Sequence, residues 1–279
     1  MPDILLHPAF HIAAASLYAG LGFHFWQARR SNSPDWSPHS AKYGLKRLVI
    51  AVALLLQGIG LYASLFSTGS LRFSFSIAFS LMLWLAVLIY WLESVRSQME
   101  GMLPIVLPLA AGAALSPGLF QQTHEIVHAA SPGFKIHFLA AMLAYSLVTL
   151  SALHALFMGL IERKLHQNPL EARRLSAPPL LAMETLLFRL IGIAFLLLTV
   201  TLISGVFFSE EIFGKAFTLD HKTVFAIASW GVFAALLLGR RIYGWRGRIA
   251  QRWTLAGFLL LFLAYIGTRF VSEIVLGRI

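Results

Sequence analysis

The chain holds ten histidines and no cysteine. Chemistry at a metal therefore falls to imidazole, thioether, phenol or carboxylate, and structural disulfides, thiolate metal sites, a cysteine nucleophile and dithiol redox chemistry are excluded. Two of the histidines, His137 and His154, stand near the ends of one apolar run, KIHFLAAMLAYSLVTLSALHALFMGLIE, from Lys135 to Glu162. At about 1.5 Å of rise per helical residue their separation is roughly 25 Å, which places them near opposite faces of a bilayer. A neutral imidazole in apolar surroundings is costly without a partner, and it is also the commonest metal ligand. A histidine at a helix end reads equally well as a wet interfacial residue.

Three further groups carry suggestive chemistry. His124-Glu125-Ile126-Val127-His128 has the H-E-x-x-H form of zinc metalloproteases. On a helix its histidines share a face and its glutamate can act as general base. It stands between Pro117 and Pro132 with little room for a long helix and no evident third ligand, so a solvated amphipathic turn is the expectation. His7 and His11 form an i, i+4 pair at the start of the first apolar run, while His24, beside Trp26, reads as an interfacial anchor. Lys135 with His137, and Asp220 with His221 and Lys222, open two later runs. If those runs pack side by side, His137 and His221 approach one outward cavity from different helices. That is the arrangement a bis-histidine haem needs, with two axial nitrogens on iron and cations facing the propionates. The pair His7 and His11 would help line that cavity, and His24 with His154 would mark an inner site.

The elements that must position these residues are membrane helices. The sequence is 58% hydrophobic and 12% charged, with a mean hydropathy of +0.75. Its apolar residues come in blocks of about 20, the bilayer-spanning pattern. About eight spans can be read, at 4–27, 46–66, 73–92, 98–116, 135–161, 187–209, 221–239 and 252–272. Together they make residues 1–279 a single integral membrane domain, an all-α polytopic helical bundle. Pro104 and Pro108 are expected to kink the fourth span, LSPG at 115–118 to end it, and SAPP at 176–179 to stop the helix of the fifth. No internal repeat is evident, and Met1-Pro2-Asp3 followed by a long apolar run does not read as a cleaved signal.

Charge gives the orientation. Arg29, Arg30, Lys42, Lys46 and Arg47 follow the first span, Arg163, Lys164, Arg173 and Arg174 the fifth, and Arg240, Arg241, Arg246, Arg248 and Arg252 the seventh. By the positive-inside rule these loops are cytoplasmic and both termini lie outside. The net charge of +10 thus reports topology and contact with anionic lipid, and asks for no nucleic acid.

Residues 98–272 resemble the cytochrome c assembly family, the membrane haem handlers of the CcsA, CcmC and HemX type, and most closely its YpjD-like inner-membrane branch. Three stretches carry the resemblance: PGFKIHFLAAMLAYSLVTLSALHALFM, with a histidine followed by a Ser/Ala-Tyr pair; ERKLHQNPLEARRLSAPPLLAMETLLFRLIGIAFLLLTVTLISGVFF, with a Pro-rich entry to a Leu/Thr-rich span; and LDHKTVFAIASWGVFAALLLGRRIYGWRGRIAQRWTLAGFLLLFLAYIGTRFV. The resemblance implies a haem-binding protein of the bacterial cytoplasmic membrane that assists cytochrome c biogenesis or haem homeostasis. It puts His137 at the position of an outward axial histidine. Asp220 and Lys222 match the Asp-Pro-Lys-Glu that ends the family's haem-binding segment, with His221 and Thr223 in the other two places.

His137 and His221 are then the axial ligands of a non-covalent haem b, with Asp220, Lys222, His154 and His11 as further cofactor contacts. The implied partners are haem, lipid, and other cytochrome c assembly proteins or a membrane complex. No tryptophan precedes Asp220 in SEEIFGKAFTLD, and VSEIV near the C-terminus offers Ser272 and Glu273 where the family has a second outward histidine. Those departures fit an alternative, a cofactor-free accessory or regulatory subunit of another membrane complex such as an ion transporter. Nothing in the sequence has the form of an activated nucleophile, a phosphate loop or paired catalytic carboxylates. A non-enzymatic role is expected.

Overall fold

The computed structural model describes residues 2–31, 42–66, 72–94, 102–120, 124–125, 131–167, 179–207 and 220–267. Nearly all of these lie in helices: α1 (Pro2–Ser31), α2 (Lys42–Phe66), α3 (Phe75–Glu93), α4 (Leu103–Leu119), α5 (Pro132–Gln167), α6 (Leu180–Phe207), α7 (His221–Tyr243) and α8 (Gly247–Phe262), which runs on into a π-helical turn, Leu263–Gly267. The fold is an all-α membrane bundle. Gly44–Phe66, Phe75–Glu93, Pro132–Gln167, Leu180–Phe207 and His221–Tyr243 are long and apolar enough to cross a membrane, and α4 is a shorter apolar helix. The most buried of the five spans is α5.

The helices fall into two rings of four with the same connectivity. In the first ring α1 packs on α2 and α4, and α3 on α2 and α4; in the second α5 packs on α6 and α8, and α7 on α6 and α8. Contact between α3 and α5 joins the rings. Equivalent tryptophans tie the third helix of each ring to the second: Trp84 donates its indole N–H to the Leu54 carbonyl at 2.7 Å, and Trp230 donates to Thr199 Oγ1 at 2.9 Å. The sequence shows no repeat because these ties occupy single positions inside runs that are apolar on every side.

Helix ends follow local chemistry. At the start of α3, Ser74 accepts the Ile77 N–H, and at the start of α7, Asp220 accepts the Thr223 N–H at 2.9 Å. The α7–α8 turn needs Gly244, whose φ of 67° is left-handed, and Gly239, where a Cβ would run into the Trp245 ring. Within α5 the hydroxyls of Ser146, Thr149 and Ser151 each donate to the carbonyl four residues back, which satisfies them where water is absent.

The fourth helix differs from the sequence expectation. Pro104 sits in its first turn, where a missing N–H costs nothing. Pro117 does not end it, because the helix continues to Leu119. The carbonyl that Pro117 leaves without its usual donor belongs to Ala113, and the Ser116 hydroxyl donates to it at 2.8 Å. Helices α5, α6 and α8 extend beyond the apolar runs that mark them in the sequence, because polar residues such as those of ERKLHQ continue the helix past the apolar boundary.

One end of the bundle is basic. Lys46 lies over the Phe25 ring, Arg47 over Trp91 and Arg240 over Phe188. Arg189 pairs with Glu93, Arg246 with Glu184 at 3.6 Å, and Arg248 with Glu162 at 2.8 Å, with Gln251 donating to the same carboxylate. Residues from loops widely separated in the chain thus meet at one end, as the alternation of basic loops requires. Ser76 and Ser116 stitch α3 to α4 at the opposite end, where Ser76 donates to the Phe120 carbonyl and the Ser116 hydroxyl, shared with Ala113, lies 3.0 Å from the Ser76 carbonyl.

Candidate functional site

The end opposite the basic loops gathers the starts of α5 and α7, the close of α6 and the π-helical turn after α8. Phe73, Phe138, Tyr145 and Tyr265 form an aromatic cluster between the short strand that precedes α3, α5 and that turn. His137 points from the second turn of α5 onto α6. Its Nδ1 lies 3.1 Å from Ser204 Oγ, and the Thr201 carbonyl is a second hydrogen-bond partner of the ring. Gly205 is what lets the ring lie against α6, since a Cβ there would meet His137 Cε1 at 3.3 Å. His137 is half-buried and Lys135, two residues before it, is exposed.

His221 is the first residue of α7, exposed, and Lys222 beside it is exposed as well. Asp220 caps that helix through both the N–H and the hydroxyl of Thr223, each at 2.9 Å. Partial burial alone would raise the Asp220 carboxyl, but the hydrogen bonds from Thr223 and the charge of Lys222 outweigh it and hold the group below the usual carboxylate range. Helices α5 and α7 both pack on α6, and His137 and His221 stand near the starts of those two helices, at the same end of the bundle.

The other sequence candidates lie elsewhere. His154 is fully buried; its Nε2 donates to the Met183 carbonyl at 2.8 Å and its Nδ1 lies 3.4 Å from Met102 Sδ, so it joins α5 to α6 and to the start of α4. His11 is buried between α1 and α2, with Nε2 3.3 Å from Ser64 Oγ and its ring against Gly60. His24 is exposed, edge-on to Phe25. The side chain of His7 lies outside those described. His124 and Glu125 form a short strand paired antiparallel with Arg72 and Phe73. Extended backbone at these two residues is not the helical turn that would put His124 and His128 on one face, and Ile126 to His128 lie outside the described residues. Ser272 and Glu273 lie outside them too. Among the described residues no three His, Asp or Glu side chains converge as a metal cluster.

The residues that sequence reasoning passed over are the partners, Ser204 with Gly205 and Ser64 with Gly60. Their signal is a small polar residue beside, or one turn from, a glycine inside an apolar run, in TLISGVFF and QGIGLYASLF.

Comparison with known proteins bears on the whole arrangement. A family model described as Cytochrome C assembly protein matches residues 45–276. The inner membrane protein YpjD of Escherichia coli (strain K12) is 30% identical over 238 residues, which cover 83% of this chain and 89% of that protein. An uncharacterised 28.8 kDa protein of Azospirillum brasilense is 33% identical over 178 residues, 63% of this chain and 65% of its own. The cytochrome c biogenesis protein CcsA of Gloeobacter violaceus is 33% identical over 91 residues, 33% of this chain and 27% of that protein. No solved structure matches. With its apolar helices, the chain is a multi-pass protein of the bacterial inner membrane.

Proposed function

This chain belongs to the cytochrome c assembly family, and from that premise we propose that it captures haem at the end of the bundle opposite the basic loops and assists cytochrome c biogenesis or haem homeostasis. Haem is the cargo, held non-covalently as haem b, because a chain without cysteine cannot form thioether links to the porphyrin. The observation that carries the reading is the placement of His137: half-buried, at the end of a span, with its Nδ1 engaged by Ser204, so that Nε2 is the nitrogen for an axial bond to iron. The donor set fits a porphyrin iron, for which two neutral imidazoles suffice.

His221 supplies the second imidazole from α7, which stands across the second ring from α5 and packs with it on α6, and Asp220 fixes the turn that carries it. Lys135 and Lys222 supply cations for the propionates. His154, fully buried with its Nε2 donating to the Met183 carbonyl, serves as a lock between helices, and His11 does the same between α1 and α2. The role is capture and orientation, with no bond made or broken by the chain. The partners are haem, lipid and other cytochrome c assembly proteins, and both termini face outward.

The test is the absorption spectrum of detergent-purified protein, oxidised and dithionite-reduced, for wild type, His137→Ala and His221→Ala. Sharp reduced α and β bands that weaken in both variants support the reading. A colourless wild type that also takes up no added haem overturns it and puts the cofactor-free accessory subunit in its place.

A further inference from the structure

We propose that Ser204 is a positioning residue that fixes the tautomer of His137, holding the proton on Nδ1 so that the Nε2 lone pair is the one presented to a ligand. The inference rests on the haem reading for the identity of that ligand, and on the hydrogen bonds alone for the tautomer. A serine hydroxyl has one proton to give. Ser204 gives its own to the Thr201 carbonyl, 3.1 Å away on the same helix, so toward His137 Nδ1 at 3.1 Å it is an acceptor. The Thr201 carbonyl, which can only accept, is also a partner of His137. Everything that α6 offers the imidazole is thus an acceptor. The ring must turn an N–H toward it, and the nitrogen in contact with Ser204 is Nδ1. Ser204 is itself 4% exposed, so water does not compete for these bonds.

The same relay occurs in the first ring of helices, with the nitrogens exchanged. Ser64 donates to the Gly60 carbonyl at 2.8 Å and lies 3.3 Å from His11 Nε2, so His11 carries its proton on Nε2. In both places the first helix of a ring supplies the histidine, and the second supplies a serine whose proton is already committed to its own backbone. Which ring nitrogen meets the serine decides which lone pair remains. Around ligating imidazoles, such a fixed acceptor orients the ring and raises the basicity of the free nitrogen.

The experiment uses full-length, detergent-solubilised protein labelled with ¹⁵N-histidine and free of haem, with the His137 resonances assigned by their loss in His137→Ala. Wild type should show His137 as the Nδ1–H tautomer, Ser204→Ala a mixture of tautomers, and Ser204→Thr, which keeps the hydroxyl, the wild-type pattern. In haem titrations of the same three proteins, Ser204→Ala should bind about 10- to 100-fold more weakly, with Ser204→Thr restored. A wild-type His137 protonated on Nε2, or a tautomer ratio unchanged in Ser204→Ala, overturns the assignment whatever haem does. A wild type locked as Nδ1–H that takes up no haem upholds the role of Ser204 toward His137 and overturns the haem reading instead.

Discussion

Replacing His154 separates a structural histidine from a ligand. The ring is 0% exposed and bridges three helices, donating from Nε2 to the Met183 carbonyl at 2.8 Å and placing Nδ1 3.4 Å from Met102 Sδ. His154→Ala removes one buried hydrogen bond, about 1 kcal/mol net. It also leaves a cavity of side-chain size, about 3 kcal/mol by analogy with buried large-to-small replacements. The expected loss is therefore about 4 kcal/mol, roughly a thousandfold in the ratio of folded to unfolded protein. His154→Gln keeps a side-chain N–H that can reach Met183 and should recover about half of that. The assay is an unfolding titration in mixed micelles followed by circular dichroism, with haem uptake measured per folded molecule. Unchanged stability together with loss of the haem spectrum in His154→Ala would refute the lock and make His154 a ligand.

Two other substitutions probe the second ring of helices. A Cβ at Gly257 would stand between 2.7 and 3.0 Å from three ring carbons of Phe233, and the Gly257 carbonyl accepts from Ser229 at 2.8 Å. Gly257→Ala should thus destabilise by about 1–3 kcal/mol, and much of that loss should disappear on a Phe233→Leu background in a double-mutant cycle. Asp220→Ala removes the cap of α7, about 1 kcal/mol. Because the folded-state carboxyl is held below its ordinary value, its stabilisation is full above the unfolded-state pKa and is lost as pH falls through the folded one. The gap between wild type and Asp220→Ala in a pH series of unfolding curves should therefore be widest at neutral pH and close toward acid.

Five of the about eight expected spans return as helices long and apolar enough to cross a membrane, and they were legible because bilayer thickness dictates the length of an apolar run. The run from Lys135 to Glu162 became α5, the most buried of the five spans, and Lys46, Arg240 and Arg248 from the basic loops lie at one end, while the side chains of Arg29, Arg30, Lys42, Arg173 and Arg174 lie outside the described residues. The pairing of helices was not legible. A span apolar on every side gives no periodic signal of which face is buried, so the two rings of four stayed hidden, as did the serines that receive His11 and His137. Pro117 misled because its effect depends on the neighbouring hydroxyl of Ser116, a contact that composition does not show. At His124 an amphipathic turn was expected and the backbone is extended instead, because it pairs with Phe73, a partner far away in the sequence.

The central claim, that His137 is the residue through which this chain holds haem, is tested most directly by His137→Gly with and without added imidazole. A glycine leaves an imidazole-sized gap beside Ser204 and Gly205, so free imidazole can stand in for a lost ligand, whereas it cannot repair a lost packing residue. The account predicts a variant with weak haem absorption whose wild-type Soret, α and β bands return as imidazole is titrated in. A His137→Gly protein that keeps the wild-type spectrum without imidazole would contradict it.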